Sequence, residues 1–251
     1  MHPDQLVAHR GYQKQYPENT LIAFQKAVDA GATFVETDIQ FSADCVPMLY
    51  HDETLQRVSG VESALRDFTS EQLQQISSHE PQRFGDRFID EKISPLIRFV
   101  SWLQLNPHVT AYIELKEEGI AHLGRKQALE QLLIRLQPVI EQVILISFDH
   151  TSLILAKQQG QLRVGAVLRR WSDQHTMRLQ GFTPDCVFCN QQIIPNNEQL
   201  SLLPYPLTVY EIDQPEMAYY WLQRGASQVE SFDVVNLLKA AEHITGKQQL
   251  G

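Results

Sequence analysis

Positive charge is scarce in this 251-residue chain: 21 lysines and arginines stand against 30 aspartates and glutamates, for a formal charge of −9. Nucleic acid and anionic membrane both demand a basic surface, so neither is expected as the main partner. Long apolar runs are also lacking. No stretch approaches the roughly 20 residues that a membrane-spanning helix needs, which argues against stable insertion. The start, Met1-His2-Pro3-Asp4-Gln5, has neither the basic nor the apolar segment of a secretory leader, and a soluble, cytoplasmic protein is the expectation. Cysteine is nearly absent. Cys45, Cys186 and Cys189 make an odd count that does not suit a disulfide framework. Cys186-Val187-Phe188-Cys189 has the spacing of a zinc or redox pair. No second pair or neighbouring histidines complete a four-ligand site, so packing is its expected role.

What the chain does have is apolar content, 43% of residues, enough for a large core in one domain spanning residues 1–251. That content is arranged as a regular alternation. Short apolar runs read as strands at 6–9, 34–41 (extended by 47–50), 110–115, 143–147, 162–168, 186–188, 207–212 and 228–231. Between them, helical spacing appears at 20–30, 95–104, 125–136, 152–159 and 215–224, and again at 234–243 after the last strand. Asn19 or Thr20 would cap the first helix, and Gly31 would end it. Residues 54–92 are more polar and read as a compact insertion, and the helix expected between 191 and 204 is faint. Eight strands alternating with helices imply a parallel sheet and point to a (β/α)₈ TIM barrel with a small insertion after the second strand.

The chemistry-bearing residues stand at strand ends, where such barrels build their sites. Glu36 and Asp38 lie two apart in Phe34-Val35-Glu36-Thr37-Asp38-Ile39-Gln40, and Glu114 and Lys116 repeat that step in Ile113-Glu114-Leu115-Lys116. A strand sends residues i and i+2 to the same side, so three carboxylates and an amine would project together. Like charges gathered in a partly desolvated place call for a divalent cation. His9 in Val7-Ala8-His9-Arg10-Gly11 and His51 in Leu49-Tyr50-His51-Asp52 each end an apolar run. Histidine titrates near neutrality, and two of them can divide general acid and general base work across one bond. Taken singly, a histidine at a strand end or a Glu-x-Asp pair is an ordinary structural or solvated feature; four such features at strand termini of one domain are not.

Ala8-His9-Arg10-Gly11, Pro17-Glu18-Asn19-Thr20, Glu36-Thr37-Asp38-Ile39, His51-Asp52-Glu53-Thr54-Leu55 with Arg57, Glu114-Leu115-Lys116 and Ser147-Phe148-Asp149 together resemble, in order and spacing, the glycerophosphodiester phosphodiesterase family. The resemblance is tight from Val7 to Arg57, clear to Leu168 and thin beyond. It implies a metal-dependent enzyme that hydrolyses small glycerophosphodiesters, such as glycerophosphocholine and glycerophosphoethanolamine, to sn-glycerol 3-phosphate and an alcohol. By that similarity one Mg²⁺ or Ca²⁺ would sit on Glu36, Asp38 and Glu114. His9 and His51 would be the acid/base pair, and Arg10 and Lys116 would bind the phosphate. Physical chemistry agrees on the last point, since an anionic diester needs a locally positive site in a negative protein. Glu18 and Asn19 are expected to shape the loop beside His9 rather than to react.

The chain departs from that pattern late. Tyr210-Glu211-Ile212-Asp213 stands where relatives carry Trp-Thr-Val-Asn, Ser231-Phe232 stands for Thr-Asp, and Cys45 replaces a glycine before His51. No expected ligand or acid/base group is lost, but Tyr210 and Glu211 become candidates for setting specificity. Two other readings compete with the first. A lysophospholipase D-like or other phosphodiesterase would use an apolar patch around Phe84, Phe88 and Ile89, residues that ordinary packing also accounts for. A non-catalytic binder of phosphorylated ligands would have no need of both histidines. The sequence does not give the oligomeric state.

Overall fold

The computed structural model describes residues 1–159 and 162–248. Its nine strands are β1 (Leu6–Ala8), β2 (Phe34–Phe41), β3 (Pro47–Leu49), β4 (Thr110–Leu115), β5 (Val143–Ser147), β6 (Arg163–Leu168), β7 (Cys186–Asn190), β8 (Leu207–Tyr210) and β9 (Gln228–Ser231). Eight of them run parallel in the order β1-β9-β8-β7-β6-β5-β4-β2, and β1 also pairs with β2, which closes the barrel. β3 is a short antiparallel arm on the end of β2, with Ile39 opposite Leu49. The expected (β/α)₈ barrel is thus present, with α-helices between successive parallel strands except β7 and β8, which 3₁₀ turns join.

Two layers of apolar residues hold it together. Inside, Val7, Tyr112, Ile144, Ile146, Val167, Cys186 and Phe188 fill the barrel. Outside, strand faces pack on the helices. Helix Leu21–Asp29 turns Ala23, Phe24 and Ala27 inward, and the Phe24 ring meets Phe99 at 4.8 Å and Trp102 at 5.8 Å. Each buried side chain of that size contributes about 1.5–3 kcal/mol. Thr20 starts this helix by accepting from the Ala23 amide, so of the two expected caps the threonine serves.

Cys186 faces the barrel interior and Cys189 the outer core. Both are buried, and burial pushes their thiols up to about 12. Three residues apart on a strand, they point to opposite faces and cannot share a ligand.

The segment after β3 makes short helical turns at Gln56–Ser59, Leu65–Asp67, Ser70–Leu73 and Pro81–Phe84. These turns pack around Met48, Tyr50, Leu55, Val58, Leu65, Leu73 and Ile93. Phe88 is buried against Phe84 and Tyr16, whereas Ile89 is 43% exposed.

The structure differs from the sequence reading in the later half. Helices form at Glu117–Leu123 and Asp173–Leu179, where no helix was expected. In Glu117-Glu118-Gly119-Ile120-Ala121-His122-Leu123 the glycine and the charges break the apolar period. Gly119 is there because a β-carbon would come within 2.9 Å of the Phe41 ring. Between 191 and 204 there are only two 3₁₀ turns, Gln191–Ile193 and Leu200–Leu202.

Candidate active site

Register brings the acidic residues together. Asp38 on β2 lies directly beside Glu114 on β4, and Glu36 beside Tyr112. Ala8 pairs with Val35, so His9 follows at the level of Glu36. One ligand oxygen each from Glu36, Asp38 and Glu114 falls within a cluster no wider than 4.8 Å. Glu36 Oε1, Asp38 Oδ1 and Glu114 Oε1 are buried without a hydrogen-bond partner. Three buried carboxylate oxygens at one point, only two of them offset by the Lys116 ammonium, fit a hard divalent cation. Glu18, His51 and Asp52 approach one another as closely, but arginines already occupy their carboxylate oxygens. That group reads as an ion-pair network.

The loop after β1 makes this approach possible. Arg10 (φ 54°) and Gly11 (φ 82°) both take left-handed backbone, which turns the chain sharply at the barrel mouth. Gly11 is obligatory there, because a β-carbon would lie 2.6 Å from the carbonyl carbon of Ala23. The turned Arg10 donates its amide to Glu36 Oε2 (3.1 Å) and sets its guanidinium 3.0 Å from Asp38 and 3.2 Å from Glu18. Lys116 stands 3.1 Å from Glu114 and 3.6 Å from Asp38. Two fixed cations therefore border the carboxylates.

His9 and His51 line the same cavity as Arg10, Glu36, Glu114 and Lys116. The His9 ring is buried, stacked on Phe232 at 4.4 Å, with Nε2 3.8 Å from Glu36. Phe232, one of the departures, thus supplies the stacking partner of His9. Burial and the neighbouring Arg10 hold the His9 pKa well below its ordinary value. His51 engages Asp52 through Nδ1 at 2.7 Å, leaving Nε2 as its free nitrogen. Asp52 accepts from Arg57, and Arg57 grips both oxygens of Glu18 at 2.7 and 2.8 Å. Burial alone would push the Glu18 carboxyl up, but Arg57 and Arg10 outweigh it and hold it below the usual range. Asn19 donates to Asp38 Oδ2 and accepts from the Asp38 amide and the Thr37 hydroxyl. Glu18 fastens Arg10 and Arg57.

Burial, opposed only in part by Arg10 and Lys116, raises Glu36 and Glu114. Against burial, Arg10, His51 and Lys116 hold Asp38 below its usual value. Sequence reasoning missed one group, Glu230 on β9. It is 3% exposed, its Oε1 has no partner, and burial beside Glu114 raises its pKa well above the carboxylate range. The signal lay in Gln228-Val229-Glu230-Ser231, whose alternation puts Gln228 and Glu230 on one face. Tyr210 and Glu211 line the same cavity.

Residues 9–190 match the model of the glycerophosphoryl diester phosphodiesterase family. Human glycerophosphodiester phosphodiesterase 1 is 33% identical over 171 residues, 68% of this chain and 50% of that protein. The chain therefore spans about half the length of that relative. Bovine glycerophosphodiester phosphodiesterase 1 is 29% identical over 242 residues, 90% of this chain and 72% of the relative. The glycerophosphodiester phosphodiesterase of Caldanaerobacter subterraneus subsp. tengcongensis is 33% identical over 64% of this chain and 65% of its own. An Oleispira antarctica phosphodiesterase, solved in complex with the product sn-glycerol-3-phosphate, shares the fold with a TM-score of 0.83. It is 20% identical, with 95% and 96% of the two chains covered.

Proposed function

The chain belongs to the glycerophosphoryl diester phosphodiesterase family, and from that premise we propose that it hydrolyses small glycerophosphodiesters to sn-glycerol 3-phosphate and an alcohol. One observation carries this reading. Two imidazoles, two fixed cations and the Glu36 and Glu114 carboxylates line one cavity at the barrel mouth, with Asp38 buried beside them. A non-catalytic binder would use the cations alone.

Arg10 and Lys116 hold the anionic diester and orient phosphorus between the histidines. One imidazole takes a proton from the attacking oxygen, and the other protonates the departing alkoxide. His51 is fixed for this by Asp52, and His9 by its stacking on Phe232. Glu36, Asp38 and Glu114 would hold the divalent cation, Mg²⁺ or Ca²⁺ by their all-oxygen donor set. When bound, it supplies Lewis-acid stabilisation of the charge that grows on the phosphoryl oxygens.

The test is release of glycerol 3-phosphate from glycerophosphocholine and glycerophosphoethanolamine by wild type, His9→Ala and His51→Ala. Each substitution is expected to lower kcat by at least about 10²-fold while circular dichroism stays unchanged. A folded variant with near-normal rate would remove that histidine from the mechanism.

A further inference from the structure

The cavity has two unlike walls. The strands β1, β2 and β4 carry the cations, the ligand carboxylates and His9. The opposite side, from β5 to β8, presents Phe148, Phe188 and Tyr210 together with one more carboxylate, Glu211, whereas Glu230 on β9 groups with His9 and Glu36 on the first wall. In the ring of eight, β8 stands four places from β4, so Glu211 at the end of β8 faces Glu114 and Lys116 across the mouth. A diester anchored by phosphorus on the first wall extends one of its substituents towards the second.

Charge indicates what that substituent is. A divalent cation with Arg10 and Lys116 offsets the three ligand carboxylates and the single charge of a phosphodiester. Glu211 on the second wall is left over. The Glu211 carboxylate makes no hydrogen bond or ion pair among the described residues. Phe148 already carries the Arg169 guanidinium at 4.6 Å from its ring centroid, and Arg169 is paired with Glu117. Tyr210, next to Glu211, packs against the inner barrel cluster and lines the cavity. An aromatic ring and an unpaired carboxylate side by side attract an organic cation. A neutral polyol gains nothing from the charge, and an anionic alcohol is repelled. Glu211 also stands at a position where the resembled pattern has threonine.

Resting on the reading above, we propose that Tyr210 and Glu211 form a subsite for a cationic amino alcohol, which makes Glu211 a specificity-determining residue. Diesters of choline or ethanolamine type are then preferred to diesters of neutral polyols. The carboxylate acts on the substituent and leaves the chemistry at phosphorus to the opposite wall.

Steady-state kinetics on glycerophosphocholine and glycerophosphoglycerol, with wild type and Glu211→Gln, test this. Wild type is expected to favour glycerophosphocholine in kcat/KM by about tenfold or more. Glu211→Gln is expected to lower that preference about five- to tenfold, chiefly through KM, as loss of a contact of this class implies. A wild-type preference near unity, or a preference unchanged in Glu211→Gln, would overturn the subsite while leaving the phosphodiesterase reading intact. A wild type inert towards both diesters would overturn that reading and the subsite with it.

Discussion

Asn19 takes left-handed backbone (φ 56°), a conformation that asparagine tolerates better than any residue except glycine. From there its amide reaches Asp38 at the oxygen and at the main-chain N–H, and takes the Thr37 hydroxyl as well. Asn19→Ala loses all three bonds and strains the backbone, so about 2–4 kcal/mol of stability should disappear in chemical denaturation. Asn19→Gly keeps the backbone relaxed and should recover about 1–2 kcal/mol of that. Equal losses in the two variants would show that the conformation contributes nothing. Asp52 works differently, linking His51 Nδ1 at 2.7 Å to the Arg57 guanidinium. Asp52→Ala should leave KM nearly unchanged and lower kcat about 10- to 100-fold, on the scale seen for groups that orient a reacting side chain. An unaltered kcat would mean that His51 needs no fixing.

At the scale of the element, the loop from β1 into helix Leu21–Asp29 is the tightest join near the site. Gly11 passes so close to Ala23 and Phe24 that a methyl group would touch their backbone at 2.6 and 2.8 Å. Gly11→Ala must part strand from helix and tilt His9 and Arg10 with them. Both thermal stability and turnover are expected to fall; a variant that keeps both would show that the loop has slack.

Elements were legible in the sequence wherever one face is apolar and the other polar. β2, β4, β5 and β9 and helix Arg125–Leu136 have the boundaries read from the chain. Helices Glu117–Leu123 and Asp173–Leu179 were not legible, because the first carries a glycine mid-pattern and the second is mostly polar. The two 3₁₀ turns after β7 occupy a stretch rich in asparagine and proline that offers no period at all. The near part of the site was readable from short motifs at strand ends. Glu230 was not, since one glutamate in a four-residue strand looks like a solvated face until the barrel closes around it.

For the molecule as a whole, the balance of raised and depressed carboxyls sets the response to pH. Glu18 and Asp38 titrate below their usual range in the fold. The stability they contribute is present above their ordinary values and lost as pH falls through the folded ones. Glu36, Glu114 and Glu230 are raised, so their contribution is full below the ordinary value of 4.5 and lost as pH climbs through the folded values. The metal-free protein should therefore be most stable at mildly acidic pH. A divalent cation relieves the repulsion only when the carboxylates are ionised. Saturating Mg²⁺ or Ca²⁺ should thus raise the Tm by about 5–10 °C near neutrality or above and by less at about pH 5. An equal rise at both pH values would place the cation elsewhere.

No helix among the described residues is long and apolar enough to cross a membrane. The catalytic claim rests on one mouth of one barrel. Its most direct measurement is release of glycerol 3-phosphate from glycerophosphocholine by protein stripped with EDTA, dialysed and titrated with Mg²⁺ or Ca²⁺, beside Asp38→Asn treated identically. The expected result is activity lost on stripping and restored to wild type at about one equivalent of cation, with no restoration in Asp38→Asn. Full activity in the stripped protein, or equal restoration in the variant, would contradict the account.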